Sequence, residues 1–368
     1  MKAVKVRNPA SLDSLEVVDI DTPGEPGPGE VRVKLHASSL NFHDYAVVAG
    51  MIPTEDGRIP LSDGAGEVEA VGEGVDEFAV GDRVMSVFFP EWQDGRPPMG
   101  SFETTPGDGI DGFACEKVVK PARAFTRMPE NFDFAQAACL PCAGLTAWRA
   151  LMEDGNLQAG QTVLLEGTGG VSMFALRIAK AAGARVIITS SSDDKLARAR
   201  ELGADHTINY KSTDEWGAEA FDWSKGGVDH VVEVGGPGTV NQAIDAIRPG
   251  GHIHLIGVLT GRKGEVETAA LMRKMGRLQG LTVGSRAMQL RMIAAIEATG
   301  MEPVISDRFA LADLAEAFRH EQDQNPGFDQ NRGRPHSVSV VPCLSNDACA
   351  TGPAGCTHGG VLLKGVLC

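Results

Sequence analysis

The sequence predicts an α/β protein in two parts, a small antiparallel β-barrel domain and a doubly wound parallel sheet. Three observations predict it. Strand-like segments follow one another through residue 128 with turn punctuation between them; after Pro129, apolar strands alternate with helices; and one of those strands runs directly into a glycine turn that opens a helix. A length of 368 residues suits two domains of ~100–200 residues each.

In the first part, Leu15–Asp21 is followed by the Pro/Gly cluster PGEPGPGE, and then by residues 30–35, where Val31, Val33 and Leu35 share one face against Arg32, Lys34 and His36. That alternation is the period of a half-buried strand. Residues 64–72 and 82–89 read the same way, and 112–121 return to strand after a Gly- and Pro-rich insert at 90–112. In the second part, strands are expected at 161–166, 185–190, 206–210, 229–235 and 251–257, with 281–284 closing the series; helices are expected at 171–182 and 193–202. Strands apolar on both faces and separated by helices indicate a parallel sheet covered on both sides. The domain boundaries read as 1–128, 129–284, and a return of 285–320 to the first domain through helical patterns at 288–299 and 311–320 and a strand at 304–309.

From residue 321 the composition turns polar, then Gly-, Pro- and Cys-rich, with alternation only at His336–Val341; residues 321–368 are expected to be a poorly ordered tail. Four of the seven cysteines (Cys343, Cys349, Cys356, Cys368) lie there, without the paired short spacing that brings thiolates onto one zinc ion.

The charge sum of 34 basic against 49 acidic residues gives −15. This disfavours nucleic acid and anionic membrane as partners, because both would be repelled at long range. No stretch approaches the ~20 apolar residues of a membrane span, and the start MKAVKVRNPASL has no apolar secretory core. A cytoplasmic location is expected.

The chemistry concentrates in QTVLLEGTGGVS, residues 161–172. Gly167, Thr168, Gly169, Gly170 and Val171 form the turn and the first helical residue. Glycines make the turn tight and let backbone approach a pyrophosphate, and the unpaired N–H groups and dipole of the helix N-terminus bind its charge. Ser172 stands where a third glycine is usual and is small enough to keep helix and strand close. About 20 residues on, an NAD site carries an acid for the ribose 2′-OH; here the segment reads Ile188-Thr189-Ser190-Ser191-Ser192. Hydroxyls with Lys195 and Arg198 suit a 2′-phosphate instead, so NADPH is the expected cofactor and NADH the weaker alternative. Asp193 and Asp194 argue the other way if they point inward, and Ser191 or Ser192 serves equally as a helix cap. Gly235, Gly236, Gly257 and Val258 fall at strand ends, on the carboxyl edge where open α/β sheets bind ligands.

With GAGEVEAVGEGVDEFAVGDRV, LPCAGLTAWRAL, GTGGVS and VVEVGGPGT in place, residues 1–320 resemble the medium-chain dehydrogenase/reductase superfamily, in particular its zinc-free branch of quinone oxidoreductases and alcohol dehydrogenase-like proteins. The resemblance implies a GroES-like barrel domain and a Rossmann domain with the active site in the cleft between them. It also implies a homodimer or homotetramer, often joined through the sheet edge, for which residues 281–284 are the candidate. Zinc-dependent members carry Cys or His at three places. Here the first is Asn41, the second reads Ser62-Asp63-Gly64, and only Cys142 survives. Zinc needs three protein ligands at a catalytic site, so no metal is expected. The usual terminal barrel strand has no counterpart after residue 320, for which His336–Val341 is the candidate substitute.

Without a metal, hydrogen-bond donors must polarise a substrate oxygen. The candidates are Asn41, His43, Asp44, Tyr45 and Thr146. An Asn and an Asp like Asn41 and Asp44 lie near the nicotinamide in zinc-free relatives, yet Asn41 before residues 42–50 is also a good helix N-cap, with Asp44 favouring the helix dipole. His43 and Tyr45 are candidate proton donors. Lys195 and Tyr210 resemble residues that hold the 2′-phosphate in NADPH-linked relatives, although Tyr210 is equally a core residue. Ser285 and Arg286 are candidates for the nicotinamide end or the pyrophosphate.

The leading expectation is a zinc-independent oxidoreductase moving hydride between the nicotinamide and an alcohol or carbonyl. The alternative is a quinone or enone reductase, and the alternative of another class is a non-catalytic dinucleotide-binding protein.

Overall fold

The computed structural model describes residues 1–324 and 340–343. Two compact units divide the chain, one formed by Met1–Leu145, Gly284–Glu321 and the strand near residue 340, the other by Thr146–Val283. The first boundary therefore falls after Leu145 rather than at 129. The physical reason is that the segment following Pro129 forms a helix packed on the strands of the first unit.

The first unit begins with β1 (Lys2–Val6) and β2 (Leu15–Asp19), an antiparallel pair. Then come β3 (Glu30–Ala37), α1 (Phe42–Val48), β4 (Ala65–Val71), β5 (Arg83–Ser86), β6 (Lys117–Pro121), β7 (Phe125–Arg127) and α2 (Phe134–Ala138). In β3, Val31, Val33, Leu35 and Ala37 are buried while the residues between them are half-buried, as the alternation requires. β3 pairs antiparallel with both β4 and β6, with Leu35 opposite Gly66. A Cβ at Gly66 would stand 2.1 Å from the Lys34 carbonyl oxygen, so only glycine allows this approach. The insert at 90–112 holds a short 3-10 turn at Ser101–Thr104 and an isolated bridge between Pro106 and Ile110.

The second unit opens within α3 (Leu145–Trp148), which is flanked by the π-helical turns Leu140–Gly144 and Arg149–Glu153. It contains β8 (Thr162–Leu165), α4 (Gly170–Ala181), β9 (Arg185–Ser190), α5 (Asp193–Glu201), β10 (His206–Asn209), α6 (Trp216–Trp223), β11 (Val228–Glu233), α7 (Val240–Ala246), β12 (Ile247–Leu255), α8 (Thr268–Arg273) and β13 (Arg277–Gly280). The sheet order is β10-β9-β8-β11-β12-β13, and every pairing is parallel. This is the doubly wound arrangement, with the strand order reversing beside β8. Leu164, Ile187, Val231 and Ile253 from one face pack with Trp216, Ala220, Ala243 and Ile244 of the covering helices. The closing strand is Arg277–Gly280, not residues 281–284. Its sequence RLQG is polar because an edge strand is only half covered, and Val283 lies in the left-handed region at φ 43°.

The chain then returns through α9 (Arg286–Thr299), β14 (Asp307–Ala310), α10 (Leu314–Gln324) and β15 (Val340–Cys343). β15 runs parallel to β14 and meets β3 at Cys343 opposite Ala37. So residues 321–324 extend a helix and 340–343 supply a strand, where a poorly ordered tail was expected; residues 325–339 and 344–368, with His336, Cys349, Cys356 and Cys368, lie outside the described residues. Among the described residues, no helix is long and apolar enough to cross a membrane.

Candidate functional site

In the second unit, β8 delivers the chain into the glycine turn. Gly167 takes φ 69°, a left-handed conformation that favours glycine, and Gly169 is the N-cap of α4. Thr168 is buried beneath the turn and Val171 is half-buried on the first helical turn. The Gly167 N–H donates to Thr189 Oγ1 at 3.3 Å, which ties the turn to the end of β9. Ser172 is 1% exposed and its hydroxyl donates to the Glu166 carbonyl at 2.7 Å. The serine thus latches helix to strand where a glycine would only make room.

At the end of β9, Ser190 is buried and Ser191 half-buried, while Ser192 caps α5 by accepting from the Lys195 N–H at 3.5 Å. Lys195 is 5% exposed, and burial pushes its ammonium down to about 7. The Tyr210 N–H donates to the Ser190 carbonyl at 3.1 Å, and its ring is 39% exposed, so Tyr210 is a surface residue of this corner rather than a core residue. The structure therefore brings Ser190, Ser191, Lys195 and Tyr210 together. It takes Arg198 away, since its guanidinium pairs with Glu201 at 2.7 Å, and Asp193 accepts from Asn209 Nδ2 at 2.7 Å on the exposed side.

On the carboxyl edge, Gly257 is demanded by packing: a Cβ there would sit 1.9 Å from the Val234 carbonyl oxygen. At Gly235 a Cβ would stand 2.2 Å from Thr239 Oγ1. Val258 beside them is 44% exposed. Between these glycines and the turn lies a feature the sequence reading missed, the facing carboxyls of Glu166 and Glu233. Both are buried. Glu166 Oε2 accepts from the N–H groups of Val234 and Gly235 at 3.3 and 3.4 Å. Glu233 Oε1 accepts from the Gly236 N–H at 2.7 Å and from the Thr239 hydroxyl. Burial, and for Glu166 the adjacent Glu233 charge, push both above the ordinary carboxyl range. The available signal was an acid at the end of each of two apolar strands, LLEG and VVEVGG.

In the first unit, Asn41 precedes α1 and its backbone N–H donates to Asp44 Oδ2 at 3.0 Å, which closes the helix start as the capping reading expects. The Asn41 side chain does more. Its Nδ2 donates to Asp44 Oδ2 at 3.1 Å and to Asp63 Oδ2 at 2.9 Å. Ser39 Oγ donates to the same Asp63 oxygen at 2.7 Å, and the Ser62 N–H donates to Asp44 Oδ1 at 2.8 Å. Asn41, Asp44 and Asp63 are all buried. Burial and the neighbouring Asp44 push the Asp63 carboxyl up to about 7, against the pull of the Asn41 and Ser39 donors. A further acid from α10, Glu321, joins the group; it is buried and raised to about 8 by burial and Asp44.

His43 borders this network. Its Nε2 lies 3.4 Å from Asp108 Oδ2 and its Nδ1 3.6 Å from Asp44 Oδ1. Burial alone would lower its pKa, but the nearby Asp108 and Asp44 carboxyls outweigh it and raise it to about 9. The ring packs edge-on against Phe88 at 5.3 Å. Tyr45 is buried between Phe42 and Phe318. Thr146 is buried in the second unit.

Ser285 and Arg286 stand in the first unit and are occupied there. Ser285 caps α9 by accepting from the Met288 N–H at 3.3 Å, and Arg286 donates to the Phe125 carbonyl at 2.9 Å and pairs with Glu77. These contacts fix the start of α9.

The places of a zinc site do not suit the ion. Asn41 turns an amide N–H, a donor with no lone pair for a metal, into the group. Asp63 spends one oxygen on Asn41 and Ser39. Cys142 is then the one sulfur among the three places, and a catalytic zinc needs three protein ligands.

Sequence models of known families match both units: an alcohol dehydrogenase GroES-like domain at residues 27–130 and a zinc-binding dehydrogenase domain at residues 170–298. A zinc-type alcohol dehydrogenase-like protein of Schizosaccharomyces pombe is 39% identical over 324 residues, covering 86% of this chain and 94% of the relative. A quinone oxidoreductase of Pseudomonas aeruginosa is 35% identical over 308 residues, covering 80% and 88%. The crystal structure of an NAD-dependent alcohol dehydrogenase superposes with a TM-score of 0.82 at 33% identity, covering 94% of this chain and all of that one.

Proposed function

Given that the chain belongs to the medium-chain dehydrogenase/reductase superfamily and is an oxidoreductase of that kind, we propose that it reduces a small-molecule carbonyl with NADPH and without zinc. The observation that carries this reading is the corner at the end of β9, where the buried Lys195 stands with Ser190, Ser191 and Tyr210 and no acid takes the ribose position. A buried ammonium held near 7 gains its proton back when a dianionic 2′-phosphate approaches, so the phosphate is favoured over a ribose hydroxyl.

NADPH supplies the hydride when bound; the protein must bind it, keep the substrate oxygen polarised and furnish a proton. The glycine turn offers backbone N–H groups at the head of α4. His43, raised to about 9, is an imidazolium at neutral pH and is the group we assign as proton donor to the developing alkoxide. Asp44 and Asp108 hold its ring and stabilise its charge, and a side chain 14% exposed can regain the proton from solvent. Asn41 keeps Asp44 and Asp63 in place, a positioning role. The absence of zinc rests on the donor set at Asn41, Asp63 and Cys142 described above.

A second reading, quinone or enone reduction, is favoured by the aromatic wall around His43: Phe88 and Phe89 at 4.7 Å, with Phe102 of the insert, half-exposed, against Phe89 at 5.3 Å. Of these three rings, Phe102 is the one exposed to meet a flat conjugated substrate, and conjugate reduction delivers hydride to carbon with the proton added later.

The test is titration of metal-stripped protein with NADPH and NADH by nicotinamide fluorescence, followed by turnover of aldehydes, ketones, quinones and enones. NADPH binding at least tenfold tighter with carbonyl turnover supports the proposal. An NADH preference overturns the phosphate assignment, and activity restored only by added zinc overturns the metal-free one. Cofactor binding without turnover of any class would instead favour a non-catalytic role.

A further inference from the structure

The second unit contains three histidines that the dinucleotide chemistry does not use. His230 on β11 lies opposite His252 on β12 in the parallel register, and His254 follows two residues later, so the period-2 alternation puts all three on one face of the sheet. That face is opposite the one that Val231 and Ile253 present to the hydrophobic core. The three rings are 4%, 4% and 0% exposed. One ring nitrogen from each lies within 4.8 Å of the others.

The hydrogen bonds around them orient lone pairs toward a common point. Gln161 Oε1 accepts from the Gln158 N–H at 2.8 Å, which fixes its amide, and stands 3.3 Å from His230 Nε2. His230 therefore carries its proton on Nε2 and presents a bare Nδ1, which lies 3.3 Å from His254 Nε2. Across the cluster, Gln279 on β13 commits its Nε2 to Asp154 at 2.9 Å and offers its carbonyl to His252. His252 Nε2 and His254 Nδ1 are buried without a hydrogen-bond partner. Buried polar atoms are normally satisfied, so the orphaned His252 Nε2 calls for a ligand that accepts its lone pair, and a metal would take the place of the proton that His254 Nε2 shares with His230 Nδ1.

We propose that His230, His252 and His254 form a three-histidine site for a divalent transition metal, zinc being the best fit. Nitrogens ~2.0–2.1 Å from a tetrahedral zinc stand about 3.3–3.4 Å apart, the separation already found between His230 Nδ1 and His254 Nε2; a modest ring rotation brings in the third. Gln161 and Gln279 supply the outer hydrogen bonds that hold metal-bound imidazoles in one tautomer. Arg277 on the edge strand is exposed, so water screens its charge from the buried cluster. The site owes nothing to the glycine turn or to Asn41 and Cys142, so it stands or falls independently of the proposed reaction.

The test uses the full-length chain, stripped by chelator and loaded with Zn²⁺ or Co²⁺. One zinc per chain is expected by elemental analysis after desalting, with affinity falling at least tenfold in both His252→Gln and His254→Gln. Bound Co²⁺ should show tetrahedral d–d absorption without the sulfur-to-cobalt charge-transfer bands of a cysteine site, and this spectrum of the unsubstituted protein decides the matter if the variants fail to fold. No retained metal, metal retained equally by both folded variants, or a thiolate spectrum overturns the proposal.

Discussion

Asn41 Nδ2 stands 2.9 Å from Asp63 Oδ2 and 3.1 Å from Asp44 Oδ2, so a single amide nitrogen serves two buried carboxyl groups. Within that buried group, a neutral hydrogen-bond donor faces the carboxyl oxygens of both acids.

Removing that donor leaves two acidic oxygens facing each other in a buried site. Asn41→Ala is therefore expected to cost about 1–3 kcal/mol, the penalty for unsatisfied buried polar groups, and to raise the apparent pKa of Asp63 further above its present value near 7. Urea unfolding and carboxyl titration by NMR check both. Asn41→Asp should be worse than Ala at pH 8, because a third charge joins the pair, and the gap should close as the pH falls.

His43 makes both stability and turnover depend on pH. Its folded pKa of about 9 exceeds the ordinary ~6.5, so the folded state binds its proton more tightly. The resulting stabilisation is fully present below pH ~6.5 and is lost as pH rises through 9. His43→Gln should flatten that alkaline loss in a series of thermal melts. It should also lower kcat for carbonyl reduction by roughly 10²–10⁴-fold, the usual contribution of a general acid. An unchanged kcat would remove His43 from the reaction.

Ser172 and Gly257 test the turn without touching a charge. Ser172→Ala deletes the 2.7 Å bond to the Glu166 carbonyl and should cost about 1 kcal/mol while weakening cofactor binding only slightly. At Gly257 the added Cβ meets backbone at 1.9 Å, and Gly257→Ala should cost roughly 1–3 kcal/mol from overpacking. Denaturant midpoints order the two, with Gly257→Ala lower.

Much of this architecture was legible because it is written in local periodicity. Val31, Val33 and Leu35 mark β3 by alternation, and LLEGTGGVS marks the turn by the change from strand to helix. The closing strand escaped notice since Arg277–Gly280 is an edge, and an edge carries no apolar run. Most of the site was out of reach for another reason. Glu166 with Glu233, Asp44 with Glu321, and the three histidines are long-range pairings made by sheet register or by α10, and no spacing in the chain announces them. Arg286 is a further case: its partners Phe125 and Glu77 lie more than a hundred residues away in sequence, so these contacts are not legible from its charge.

Lys195 offers the sharpest separation of stability from binding. Burial holds its folded pKa near 7, below the ordinary ~10.4, so the unfolded chain binds the proton more tightly between those values. Stability attributable to this residue therefore rises as pH increases from 7 to about 10 and is depressed below 7. Lys195→Met, which keeps the apolar stem and drops the charge, should raise the melting temperature at pH 6–7. The same variant should weaken NADPH at least tenfold and leave NADH within about threefold, since only the 2′-phosphate meets the ammonium. In the unsubstituted protein, NADPH affinity should decline above pH 7 more steeply than NADH affinity, with proton uptake on binding measurable by calorimetry in buffers of different ionisation enthalpy. Equal pH profiles for the two cofactors would place Lys195 in the fold alone.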